Sequence, residues 1–131
     1  MPKRTMTHAL KLVSGAFAAA ALMASIPSAL AEETGETLYN NACRTCHSVK
    51  PDDNRLGPNL HNIVGRKSGA ASGFNYSPSL KSGSITWDEA TLDKFIANPD
   101  SVASGNTMKP FTGISDAGVR KQIIEFLKTA K

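Results

Sequence analysis

Apolar residues occur along this chain in short helix-spaced groups, separated by stretches rich in glycine, proline and serine. The earliest group differs from the rest, because Leu12 to Ile26 is one uncharged, alanine-rich run. From about Thr34 to Cys46, Leu38, Tyr39 and Ala42 fall at i, i+1 and i+4, the spacing of a helix face. Residues 52–62 read as turns, with Pro51, Gly57 and Pro58 as breakers. Residues 65–84 hold four glycines and many serines, which predicts loop with one helical turn near Pro78. Thr86-Trp87-Asp88-Glu89 then starts a helix with acid in its first turn. Leu92, Phe95 and Ile96 form its buried stripe until Asn98-Pro99 stops it. Residues 103–113 are irregular, and Ser115 or Asp116 caps a last helix carrying Val119, Ile123, Phe126 and Leu127 at helical spacing. No alternating run is long enough for a sheet. The pattern predicts an all-α fold with long loops, and such loops are uncommon unless they wrap something.

Charge sorts the first group from the others. Lys3, Arg4 and Lys11 precede the apolar run, and Pro27, Ser28 and Ala29-Leu30-Ala31 follow it. This is the layout of a secretory signal peptide, with cleavage expected after Ala31. Fifteen apolar residues are too few to span a bilayer comfortably, which disfavours a membrane anchor. The expected organisation is a leader at 1–31 and one domain at 32–131. The leader holds three of the fifteen basic residues and none of the eleven acidic ones, so the remainder carries twelve against eleven, a net +1. The apparent basicity of the chain therefore gives no reason to expect a nucleic-acid partner or stable membrane insertion. A domain of this size has a thin core and usually needs a staple. Its two cysteines lie three positions apart, where a disulfide would constrain the unfolded chain little.

Cys43-Arg44-Thr45-Cys46-His47 points to what the cysteines hold. C-x-x-C-H is the attachment pattern of c-type haem. Two thiols on one helix face reach the two vinyl groups of a porphyrin, and the adjacent imidazole lies where it can bind iron. A zinc site would need more ligands, and a thioredoxin-like pair would need a βαβ setting. A plain disulfide is compatible with export but leaves His47 and the long loops unexplained. Met108 is the one methionine after the leader and sits in the loop Gly105-Asn106-Thr107-Met108. It is the expected sixth ligand, with His61, close behind the attachment motif, the rival. A His47/Met108 pair closes the iron to substrates and raises its potential, which suits an electron carrier. If Met108 does not stay bound, a peroxidase-like or gas-binding haem protein is the alternative.

From Gly35 to Lys128 the chain resembles the class I c-type cytochromes, including mitochondrial cytochrome c and its soluble bacterial periplasmic counterparts. The shared motifs run in order: the attachment pentapeptide, Gly57-Pro58-Asn59-Leu60, Gly65-Arg66-Lys67-Ser68-Gly69, Gly73-Phe74-Asn75-Tyr76, Ile85-Thr86-Trp87, Asn98-Pro99 and the Met108 loop. The resemblance implies the class I cytochrome c fold, helices and loops wrapped around one covalent haem c, in a soluble periplasmic monomer that is not an enzyme. It implies that Pro58 accepts a hydrogen bond from His47, and that Arg66, Tyr76 and Trp87 surround the haem propionates. Gly35 is implied to let the first and last helices cross closely, with Tyr39 and Phe126 packing there. The implied partners are redox proteins: a cytochrome complex, a terminal oxidase, a reaction centre or a periplasmic dehydrogenase.

The chain also departs from the family. Phe95 stands where a tyrosine usually donates toward the axial sulfur, and Leu80 where a buried asparagine is common. Asn106 replaces a threonine near the propionates and is expected to keep some of its hydrogen bonding. The Met108 loop is one residue longer than usual, leaving the position of Phe111 open. Ala42, Asp100, Ser101 and Thr107 replace much of the family's lysine ring, with Arg44, Arg55 and Lys109 left as a small basic patch. This implies weak steering of partners and a shallow salt dependence. Phe95→Tyr is expected to raise the midpoint potential; an unchanged or lower value in a redox titration would contradict that reading.

Overall fold

Each main helix begins at a side chain that answers an otherwise unpaired amide. The computed structural model describes residues 32–131, so the expected leader and its cleavage after Ala31 lie outside the described residues. In α1 (Gly35–Ala42) the Thr34 hydroxyl accepts from the Thr37 amide at 3.2 Å. In α3 (Glu89–Ala97), which follows the single-turn α2 (Pro78–Lys81), the Asp88 carboxylate accepts from Thr91 at 2.7 Å. In α5 (Ala117–Thr129), Asp116 accepts from Val119 at 3.0 Å. Such caps satisfy donors that a helix leaves free at its start. Of the two caps expected for the last helix, Asp116 is the one used.

Two boundaries differ from the sequence reading. The first helix stops at Ala42 rather than running through Cys46, because Cys43 leaves helical geometry at φ −121°. Residues 43–47 continue as tight turns, the amides of Cys46 and His47 donating to the Cys43 carbonyl at 3.1 and 2.9 Å. Asn98-Pro99 ends α3 as expected, but Pro99 itself opens another turn, α4 (Pro99–Val102). Proline suits a first helical position, since its ring fixes φ and no amide is needed there. The same residue thus ends one helix and starts the next.

Buried faces of α1, α3 and α5 meet in one core. Ile123 on α5 is fully buried at its centre. The neighbouring Ile124 is buried as well, widening the stripe read from sequence. At the α1–α5 crossing the rings of Tyr39 and Phe126 stack tilted, with centroids 5.1 Å apart. No strand occurs among the described residues; Lys67 and Thr86 make an isolated antiparallel bridge. Around it the Gly65 amide donates to Trp87 O at 2.7 Å and the Trp87 amide to Arg66 O at 2.9 Å. Two glycine-rich loops are joined in this way, and Arg66 comes to lie beside Trp87. Arg120 closes the far end of the fold, pairing with Asp93 at 2.7 Å and donating to the carbonyls of Ile114 and Ser115.

Gly35 permits the helix crossing, as expected. A Cβ there would collide with the Gln122 carbonyl oxygen of α5 and lie 3.1 Å from the Phe126 Cβ. Gly35→Ala is therefore expected to destabilise the folded, cofactor-loaded protein by about 1–3 kcal/mol, the usual cost of overpacking. Urea unfolding measures it, and an unshifted midpoint would contradict the close crossing.

Candidate functional site

The turn after α1 sets the site. It carries Cys43, Cys46 and His47 out of the helix within five residues, and the next loop fastens to it where the Gly57 amide donates to the Cys46 carbonyl at 2.8 Å. That contact seats Pro58 against the imidazole, and His47 Nδ1 lies 2.7 Å from the Pro58 carbonyl oxygen. A carbonyl only accepts, so Nδ1 holds the ring proton and the lone pair is left on Nε2. Nε2 has no hydrogen-bond partner among the described residues. Burial pushes the pKa of His47 down, partly opposed by the Pro58 bond, and nearby Arg66 lowers it further. The result is a neutral, oriented imidazole with one free nitrogen. The buried Tyr39 hydroxyl holds the same residue by its backbone, donating to His47 O at 2.9 Å.

Both thiols are free and half-buried. Burial, with the neighbouring Cys46, pushes the Cys43 thiol up to about 11. A redox-exchange cysteine needs the opposite shift, toward thiolate at neutral pH, so the pair does not resemble a thioredoxin-type centre. No three-residue group of His, Cys, Asp and Glu suited to a metal ion occurs among the described residues.

Arg66 is the least expected feature in electrostatic terms. Its guanidinium donates to His61 O at 2.7 Å, Asn59 O at 2.6 Å and Asn59 Oδ1 at 3.3 Å, all neutral acceptors. Its Nε is buried and has no partner among the described residues. Desolvation lowers its pKa, while Tyr76 lies close enough to raise it. Arg66 is half-buried, and a partly desolvated cation without a carboxylate gains from an anion that completes it. Tyr76 accepts from the Ala71 amide at 3.0 Å, and its own hydroxyl proton has no acceptor among the described residues. Trp87 is buried edge-on against Phe95, with centroids 4.8 Å apart.

Met108 packs half-buried against the hydrophobic core. Asn106 holds its loop: Oδ1 accepts from the Met108 amide at 3.0 Å, while Nδ2 donates to Asp100 at 2.8 Å and Ala103 O at 3.0 Å. Both amide hydrogens are thereby used inside the loop. Asn106 thereby braces Met108, a role the sequence reading did not assign to it. His61 is occupied locally, its Nε2 3.2 Å from Asn62 Nδ2. Leu80 and Phe111 both pack against the core. Lys109 is paired with Asp100 at 2.7 Å and Arg55 with Asp53 at 3.4 Å, which thins the expected basic patch.

Comparison with known proteins decides the family. Residues 30–127 match the family model described as cytochrome C oxidase, cbb3-type, subunit III. The chain is 48% identical over 90 residues to cytochrome c2 iso-2 of Magnetospirillum molischianum, an alignment covering 68% of this chain and 91% of that protein. It is 39% identical over 123 residues to cytochrome c2 of Rhodomicrobium vannielii, covering 92% and 97%. The solved structure of cytochrome cH from Methylobacterium extorquens superposes with a TM-score of 0.66 at 38% identity, covering 72% of this chain and 94% of that one. The chain belongs to the class I c-type cytochromes.

This cytochrome is therefore an electron-transfer protein of the all-α class I fold, and its family carries one covalent haem c. The residues present fit that group. Two free thiols adjoin a neutral imidazole with an unengaged nitrogen, and the half-buried Arg66 has a buried N–H awaiting an acceptor. Sequence reasoning missed the supports beneath these groups. Asn54 Oδ1 accepts from both the amide and the side chain of Asn59, at 3.0 and 2.9 Å, and so fixes the carbonyl that Arg66 uses. The signal available was a pair of asparagines flanking Gly57-Pro58, readable as turn residues and equally as a brace. Asp100, noted only as a lost positive charge, and the Tyr39 hydroxyl were missed likewise.

Gly57 lies against the His47 ring so closely that a Cβ would collide with Cε1 and lie 2.7 Å from Nδ1. Gly57→Ala is expected to push the imidazole off the Pro58 carbonyl. It should lower the stability of the cytochrome by about 1–3 kcal/mol in guanidinium titrations. Full retention of stability would show that this face of the ring is open.

Proposed function

We propose that this cytochrome is a periplasmic electron carrier whose haem is attached through Cys43 and Cys46 and ligated by His47 and Met108. Bound haem supplies a one-electron couple, its iron passing between ferrous and ferric. The chain's own residues supply the rest. Pro58 fixes the His47 tautomer and makes the imidazole a better donor. Arg66, with Tyr76 and Trp87 nearby, offers donors to propionates. Phe95 and Trp87 keep the interior dry, so little solvent reorganises with each electron. The observation that carries this reading is the His47 Nδ1–Pro58 bond of 2.7 Å with Nε2 free, and a methionine loop that is itself hydrogen-bonded in place supports it.

Partners are redox proteins, and encounters should be brief, since a shuttle leaves as readily as it docks. A cytochrome complex, a terminal oxidase, a reaction centre and a periplasmic dehydrogenase all suit a carrier exported by a leader such as residues 1–31. Among the described residues no helix is long and apolar enough to cross a membrane. The neutralised Lys109 supports an encounter governed weakly by long-range charge.

A redox titration of the purified protein with spectra in both states tests this. One reversible one-electron transition is expected, with Met-to-iron charge-transfer absorption in the ferric protein that Met108→Ala abolishes. Acid–acetone extraction should leave the haem on the chain. A high-spin ferric spectrum in the unsubstituted protein would overturn the ligation and favour an open-site haem enzyme.

A further inference from the structure

Thioether sulfur is a weak ligand, so whether Met108 holds an iron depends on where its loop rests. The side chain itself is only half-buried, and Thr107, Lys109 and Pro110 around it are exposed. Packing alone gives this segment little restraint. Gly105 before it has φ +73° and open space where a Cβ would stand, so nothing crowds the loop from that side. The segment is nevertheless tied down at both ends by one residue.

That residue is Asp100, in the single turn α4. Its Oδ1 accepts from Asn106 Nδ2 at 2.8 Å, and its Oδ2 accepts from Lys109 Nζ at 2.7 Å. Asn106 and Lys109 flank the methionine on either side. Asn106 is 4% exposed and turns the first contact into a hold on the ligand itself, since its Oδ1 accepts from the Met108 amide. An amide side chain that receives at Oδ1 while both hydrogens are used has one orientation. Asp100 is itself anchored by its helix turn: Pro99 is buried, and the Ala103 amide donates to the Pro99 carbonyl at 2.9 Å.

The two contacts differ in weight. The Lys109 pair is about half-exposed on both sides, and exposed ion pairs contribute little. Removing the carboxylate from Asn106 instead leaves a buried N–H without an acceptor and frees the amide to turn, and orphaned buried donors are expensive. The Met108 amide then loses its acceptor.

We propose that Asp100 is a positioning residue that keeps Met108 over the iron, acting through Asn106, and that it thereby keeps the protein a closed electron carrier. The proposal rests on the reading of Met108 as sixth ligand. It gives the acidic residue at 100 a function that its place among the lost positive charges does not suggest.

Imidazole binding to the ferric holoprotein tests it, because this small neutral ligand reaches iron only when Met108 leaves. Binding is followed by loss of the Met-to-iron charge-transfer absorption. Asp100→Ala is expected to accelerate binding about tenfold or more, as loss of a charge-assisted hydrogen bond to a buried group would. Asp100→Asn, which keeps an acceptor oxygen, should recover much of the slow rate. Lys109→Ala should change it by about twofold. Glu89→Ala, which breaks the unrelated exposed pair with Lys128 (2.9 Å), should leave it unchanged. Urea unfolding of the same variants separates local opening from global loss. Unchanged binding in Asp100→Ala overturns the proposal, and so does acceleration that merely parallels global destabilisation across all four variants. Absence of the charge-transfer absorption in the unsubstituted protein overturns the assignment of Met108 and this proposal together.

Discussion

One hydrogen bond organises this molecule, from His47 Nδ1 to the Pro58 carbonyl. It decides which ring nitrogen carries the proton and so which one keeps a free lone pair. It also joins the turn that bears both thiols to the loop that begins the glycine-rich half of the chain. The backbone bond between Gly57 and the Cys46 carbonyl fixes its geometry, and Gly57 allows the loop to lie that close to the ring. Any larger residue at 57 would separate the two segments.

Around this contact the fold meets two demands on a small domain. A thin helical core of α1, α3 and α5 supplies the frame, and the loops supply the polar supports. Arg66 illustrates the second demand: a half-buried cation rests on neutral carbonyls with one buried N–H unanswered among the described residues. That arrangement makes little sense for the chain alone and good sense for one that receives an anionic group. In the methionine loop, Asp100 and Asn106 give a rigidity that its exposed sequence would not supply. The His47 turn and the Met108 loop are therefore each held by hydrogen bonds from neighbouring segments. Electron transfer favours such a design, because geometry that stays the same in both oxidation states needs little reorganisation.

Much of the fold was legible in the sequence, and the reasons are local. Asp88 and Asp116 announce their helices, and the stripes of Leu92-Phe95-Ile96 and Ile123-Phe126-Leu127 mark the buried faces. The pentapeptide, the Pro58 contact and the Gly35 crossing follow from short motifs or from the family pattern. What escaped depends on distant partners. The first helix ends early because Cys43 leaves helical geometry, which helix-face spacing does not reveal. That Asn106 braces the Met108 loop depends on Asp100, six residues back, which accepts from its amide. Lys109 looked like part of a docking patch until the same carboxylate was found to neutralise it. Side-chain pairings set by a turn are invisible to periodicity.

The central claim is that Pro58 fixes the His47 tautomer and leaves Nε2 to the iron. Nitrogen-15 NMR of the histidine rings in the ferrous, diamagnetic holoprotein measures this directly. The account predicts a proton on His47 Nδ1, protected from exchange and coupled through the hydrogen bond to the Pro58 carbonyl, with none on Nε2. A proton on Nε2, or an Nδ1 without one, would contradict it.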